Sequence, residues 1–313
     1  MFVRETNECE QLYSLDVLGV EDSSEKDQME VLTDFRESVT RQEDGRYEVS
    51  IPWIPGARLY GTNEQPSRIR LANVNKKLSK DRSLKVECEK IVKDQLANGI
   101  VEKAPEKPAE KPPLANSINK CMFTGPSLQP LLWDILIRAR MTPNLLLADI
   151  QKAFLQNGVK ETDRDAFRFL FEIDGKEEHF RFARLPIGVE ASPFVLGATL
   201  GYHLEQQPTR FEQTVTALKE NTYVDNIMKT GSDTDDLRKF KEESFSILED
   251  AKFPIHKWES NIVCLEDKNM PNPSKILGHV WDKQEDTLEF EAATMPENQP
   301  VTKRSILSRL GRV

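Results

Sequence analysis

The residues best suited to chemistry in this 313-residue chain are two aspartates, Asp149 and Asp225. Asp149 lies near the end of an apolar run, Leu145-Leu146-Leu147-Ala148-Asp149-Ile150. A carboxylate carried into a buried strand needs its charge compensated. A metal ion does this when a second carboxylate waits nearby. Asp225 is that second acid. In Thr222-Tyr223-Val224-Asp225-Asn226-Ile227-Met228, apolar residues flank an Asp-Asn pair, which predicts a tight hairpin with its acid at the tip. Hard oxygen ligands of this kind suit Mg²⁺ or Mn²⁺. Two such ions roughly 4 Å apart activate an attacking oxygen and stabilise a leaving one. Taken singly, each acid has a plainer reading: Asp149 as a strand-end acid or helix cap, Asp225-Asn226 as ordinary turn chemistry.

The elements that must position these acids follow from periodicity. Leu128, Leu131, Leu132, Ile135, Leu136 and Arg138 predict a helix leading into the Asp149 strand. Phe167–Phe171 and Phe180–Arg184 flank Asp174-Gly175 and predict a hairpin. In Leu185-Pro186-Ile187-Gly188-Val189-Glu190-Ala191-Ser192-Pro193-Phe194, Gly188 permits close backbone approach and Pro193 opens a helix that continues to Leu204. His203, on that apolar helix, reads as structural. A helix over 235–252 follows the Asp225 hairpin, and Phe253–Trp258 and Lys275–Trp281 read as strands.

Upstream, Gly45-Arg46-Tyr47-Glu48-Val49-Ser50-Ile51-Pro52-Trp53 alternates as a strand does. Residues 75–98 predict one helix, with Leu84, Cys88, Ile91, Val92 and Leu96 on a single face and Asn98-Gly99 as its cap. Its other face carries Lys85, Lys90 and Lys93, either solvated or in contact with a template. Ala104–Pro113 holds four prolines in ten residues and predicts an extended linker.

In their order, these stretches resemble motifs A to D of a polymerase palm. The resemblance is close to reverse transcriptases of the BEL/Pao class of LTR retrotransposons and covers most of the chain. The Gly45–Trp53 stretch resembles that family's entry segment, and Lys275–Trp281 resembles its primer-gripping strand. The resemblance implies an α+β fold: a right-hand palm with a split βαβ antiparallel sheet and helices on one face, reduced fingers and a partial thumb. The implied divisions are an acidic leader or tether (1–45), a partial fingers region ending in the proline-rich linker (46–115), the palm (116–260), and a primer-grip strand with a truncated thumb or connection (261–313).

The implied activity is RNA-directed DNA polymerisation, with two Mg²⁺ (or Mn²⁺) ions held by Asp149 and Asp225. The carbonyl of Ile150 would complete a site, and Lys257 would protonate the leaving pyrophosphate or balance its charge. Gln151, Phe154, Gly188 and Pro193 fall at nucleotide-binding positions, the Phe154 ring excluding a ribose 2′-hydroxyl. Tyr223, Leu277 and Gly278 fall at primer or template positions. The implied partners are an RNA/DNA template-primer, deoxynucleotides and other parts of a retroelement polyprotein.

Two departures from the family pattern stand in the sequence. Asn226 occupies the place of a commoner second aspartate, leaving two charged carboxylates instead of three. A fingers segment that would carry a basic residue for the triphosphate is missing between Glu102 and Asn116. Both leave open a second reading, a catalytically inactive remnant acting at most as a nucleic-acid-binding or interaction protein. A two-metal nuclease also uses paired acids but does not account for the order of the stretches.

Composition narrows the classes further. The net charge of −9 argues against a general nucleic-acid coat, yet residues 61–120 carry 13 basic against 8 acidic residues, which allows a local phosphate-binding face. The four cysteines and four histidines show no zinc spacing. No apolar run is long enough to span a membrane, and the first residues are too acidic for a secretory signal, so an intracellular protein is expected.

Overall fold

The leucine run forms a buried strand, as its composition demands, and the remaining elements set its surroundings. The computed structural model describes residues 25–57, 63–106, 117–277 and 279–289. The leader before residue 25, most of the proline-rich linker, Gly278 and the chain from residue 290 lie outside the described residues, and so do the expectations placed on them.

Along the first part of the chain the elements are α1 (Glu25–Ser38), β1 (Thr40–Arg41), β2 (Tyr47–Val49), α2 (Glu64–Leu78), α3 (Arg82–Ala97), β3 (Val101–Lys103), α4 (Leu132–Arg138), β4 (Asn144–Ile150), α5 (Ala153–Gln156), β5 (Gly158–Val159) and α6 (Glu161–Arg164). There follow β6 (Arg168–Ile173), β7 (Lys176–Phe182), α7 (Ser192–Glu205), α8 (Glu212–Asn221), β8 (Thr222–Tyr223), β9 (Asn226–Gly231), α9 (Thr234–Asp250), β10 (Ile255–Ser260), β11 (Ser274–Ile276), β12 (His279–Asp282) and β13 (Thr287–Glu289). The architecture is α+β, with several small sheets. The chain divides into two compact units. One comprises residues up to Thr40, Glu48–Leu128 and Gly158–Ala198; the other comprises Arg41–Tyr47, Gln129–Asn157 and Thr199 onward.

In the first unit, β3, β7 and β6 form an antiparallel sheet in that order. The β6–β7 hairpin turns at Asp174 and Gly175, both at positive φ, where the sequence places it. The Arg181 side chain, only 8% exposed, is neutralised by Glu102 at 2.5 Å, Asp165 at 3.1 Å and Glu161 at 3.4 Å. Such pairing is what permits a buried cation.

The single helix expected over 75–98 is two helices. α2 ends at Leu78, and Asp81 caps α3 by accepting the Leu84 backbone N–H at 3.0 Å. A side chain that satisfies an orphan N–H starts a new helix at a point apolar periodicity does not register. Leu84 and Ile91, expected on the buried face, are 44% and 49% exposed, whereas Val92 is buried. The lysine face is solvated: Lys90 and Lys93 are exposed, Lys93 pairs with Asp174 at 3.0 Å at the surface, and Lys85 pairs with Glu172 at 3.3 Å.

In the second unit, an antiparallel sheet runs in the order β10-β4-β9-β8. Leu147 stands opposite Met228, and Asp149 opposite Asn226. Cross-strand partners share a face and alternate residues return to it, so Leu145, Leu147 and Asp149 line one side. There Leu145, Leu147 and Met228 pack with Ile135, Ala139, Ile276 and Trp281. α8 and α9 pack against β9. His203 is fully buried. Its Nε2 donates to the Ile247 carbonyl at 2.7 Å, and its Nδ1 accepts from the Tyr47 hydroxyl at 3.1 Å. Burial holds its pKa below the usual histidine range. The residue ties β2 to α7 and α9, as a structural histidine does.

The Lys275–Trp281 stretch, expected as one strand, is a hairpin. The chain reverses after Ile276, which pairs with His279, and Leu277 takes φ 46°. A turn signal inside an apolar run is invisible to alternation alone.

Lys283 anchors the next strand end. Its side chain is 6% exposed, 2.8 Å from Glu259 and in closer contact with Glu266. Removing one partner of a buried ionic cluster leaves the others uncompensated. Lys283→Met is therefore expected to destabilise the protein by about 3 kcal/mol, read as a lower urea midpoint with unchanged slope. An unshifted midpoint would show that water already screens these charges.

Candidate metal-binding site

β4 carries its leucines into the core and releases Asp149 at the sheet's end, where the residue is half-buried. The second acid arrives on the β8–β9 hairpin. Tyr223 pairs with Asn226, so Val224 and Asp225 form a two-residue turn. Val224 has φ 57°. A β-branched residue in the left-handed region is strained, by about 1–3 kcal/mol, and such strain gathers at functional positions. The tip is fastened to β4, because the Ile150 backbone N–H donates to the Asp225 carbonyl at 2.8 Å.

The electrostatics follow from this juxtaposition. Burial raises the Asp149 pKa above the usual carboxylate value, and the charge of Asp225 raises it further, against smaller opposing effects of His256 and Lys257. Burial also raises the pKa of Asp225, partly offset by its own backbone N–H and by the Asn226 amide, which donates to Oδ1 at 2.7 Å. Two partly desolvated carboxylates of like charge form a donor set that a divalent cation fits, and His256 and Lys257 offset their charge only in part. Among the described residues no group of three or more His, Cys, Asp and Glu side chains could hold a metal; the candidate rests on this pair.

No protein-family model matches this chain, and no curated protein matches it.

An open cleft of about 230 Å³ adjoins Asp149, lined by it with Asn226, Leu147 and Met228 together with Lys257, Glu259, Lys275 and Leu277; Asp225 stands beside Asn226 at its edge and does not line it. Lys257 reaches it through a β-bulge. The β10–β4 register shifts between His256 and Glu259, and Lys257 itself takes φ 56°. A bulge re-aims a side chain in this way, and Lys257 is exposed at the cleft.

Asp149, Ile150, Asp225, Asn226, Tyr223, Lys257 and Leu277 thus belong to one neighbourhood of the second unit. Gln151 and Phe154 lie just beyond β4 but do not line the cleft. Gln151 donates its backbone N–H to the Pro254 carbonyl at 2.9 Å, and Phe154 is half-buried on α5. Gly188 and Pro193 belong to the first unit. Gly188 is exposed at φ 92°, and Pro193 stands in the first turn of α7. Gly278 lies outside the described residues.

His256 and Lys275 fall in stretches singled out in the sequence, but neither they nor Glu259 carry a site role there. Only the pairing register of β10 and the hairpin at Leu277 bring them to the acids, and neither is encoded in a local pattern.

The raised acid pKa values set the sign of a pH dependence. Protonated carboxyls favour the fold, so this contribution is full at low pH. It is lost as pH rises from the ordinary carboxylate pKa through the raised one. A cation binds the ionised pair and reverses the loss. The rise in Tm produced by Mg²⁺ is expected to be absent near about pH 4 and to grow toward about pH 7, measured by differential scanning fluorimetry. A shift independent of pH would place the ion elsewhere.

Proposed function

We propose that this chain is the RNA-directed DNA polymerase (reverse transcriptase) domain of a BEL/Pao-like retrotransposon polyprotein, built on a right-hand palm. The observation that carries the reading is the meeting of two aspartates 76 residues apart (225 − 149) at one end of an antiparallel sheet, one on a central strand and one on a strained hairpin tip fastened to it. The order of the surrounding stretches supports it.

Two bound Mg²⁺ or Mn²⁺ ions would activate the primer 3′-oxygen and stabilise charge on the phosphates. The chain's own residues do the rest. Asp149 and Asp225 hold the cations, and the Ile150 N–H fixes the separation of strand and hairpin. Lys257, exposed at the cleft, offers a proton or a positive charge to the leaving pyrophosphate. The partners are an RNA/DNA template-primer and deoxynucleotides, met inside the cell.

One observation favours a second reading. The stretch from Glu102 to Asn116 lacks the fingers segment with its basic residue for the triphosphate, as a binding remnant without turnover would tolerate. Primer extension on poly(rA)/oligo(dT) with Mg²⁺ separates the two. Incorporation is expected; tight template binding with none supports the remnant.

A further inference from the structure

His256 stands directly opposite Asp149 across the β10–β4 pair. Its Nδ1 lies 3.1 Å from the Asp149 carbonyl oxygen and 3.4 Å from Asp149 Oδ2. A carbonyl and an ionised carboxylate only accept, so Nδ1 carries the hydrogen in either protonation state of the ring. The N–H donates to the main-chain carbonyl and the same ring edge stands against Oδ2, so the imidazole restricts the torsions between carbonyl and carboxylate. Asp225 has a matching donor in the Asn226 amide, 2.7 Å from Oδ1. Each acid thus has one N–H-bearing side chain against its carboxylate, from the facing strand for Asp149 and from the next residue for Asp225.

We propose that His256 is a positioning residue that presets the Asp149 carboxylate for a divalent cation. The inference rests on Asp149 being a metal ligand, as proposed above. Without the imidazole, the carboxylate of a half-exposed aspartate samples several orientations, and ordering it opposes binding. Outer-shell donors of this kind are worth about 10–100-fold in metal affinity. The side chain is itself a third exposed, so its removal leaves the core intact.

The test is Mn²⁺ affinity, from the electron paramagnetic resonance of free Mn²⁺, for the wild-type chain, His256→Asn, His256→Leu and Asp149→Asn. An asparagine amide can occupy the place of Nδ1; a leucine offers no donor. The expected results are affinity within about threefold of wild type for His256→Asn and a loss of about 10–100-fold for His256→Leu. Melting temperatures without metal should be alike. Unchanged affinity in His256→Leu overturns the positioning role. Equal losses in both His256 variants overturn it as well, because packing alone would explain them. Absence of Mn²⁺ binding by the wild-type chain overturns the metal reading of Asp149 and this role with it, a result distinct from either failure of His256.

Discussion

Asp149→Asn is expected to lower nucleotide incorporation at least about a thousandfold, while the variant melts higher than wild type in the absence of divalent cation. The first effect follows from what a bound metal supplies: several kcal/mol of transition-state charge stabilisation, each 1.36 kcal/mol being about tenfold in rate. An amide keeps the shape of the carboxylate and loses the charge that holds the ion. The second effect has the opposite sign and a separate cause. Burial and the charge of Asp225 make ionised Asp149 unfavourable in the folded protein, and asparagine removes that repulsion. A residue conserving structure alone would lose stability on substitution and leave incorporation untouched. Single-turnover primer extension and calorimetry on the same preparation read both signs. Incorporation within tenfold of wild type would remove Asp149 from the chemistry.

Gly125→Ala is expected to destabilise the protein by about 4 kcal/mol, while Gly175→Ala loses only about 1 kcal/mol. The two glycines share a left-handed backbone, at φ 75° and φ 77°, so alanine meets similar torsional strain at both. They differ in space. A Cβ on Gly125 would stand 2.1 Å from Phe194 Cγ, whereas one on Gly175 meets nothing within 4 Å. Phe194 cannot yield. It is 4% exposed and sits edge-on to Phe35, with ring centroids 5.9 Å apart. Urea unfolding of the two variants side by side checks the difference. Equal losses would mean that the Phe194 ring moves aside at no great energetic cost.

The contrast between these glycines also shows what a sequence carries. Gly125-Pro126 announces a turn, and nothing local announces that a phenylalanine 69 residues later (194 − 125) closes over it. The same division runs through the candidate site. The strand of Asp149 was legible because a run of leucines has nowhere to go but inward; the hairpin of Asp225 was legible in place but one residue out in register, its turn being Val224-Asp225 and not Asp225-Asn226. α9 was legible from its helical period, and the β6–β7 hairpin from Asp174-Gly175. The break at Ser79–Asp81 was missed because a single capping carboxylate overrides periodicity. The reversal at Leu277 was missed because alternation continues through a turn. His256 and Glu259 were missed for a stronger reason: their relation to Asp149 is one of strand register, and a bulge at Lys257 shifts that register within β10, while Lys275 reaches the cleft on a separate hairpin. The Lys283 cluster likewise joins residues whose charges, read in sequence, belong to an ordinary surface.

The claim on which all the chemistry depends is that Asp149 and Asp225 share divalent cations. Anomalous diffraction from crystals soaked in Mn²⁺ tests it most directly. Manganese density is expected at the end of β4, with carboxylate oxygens of both Asp149 and Asp225 about 2.1 Å from an ion. Manganese held by one of these residues alone, or no density there at saturating Mn²⁺, would contradict it.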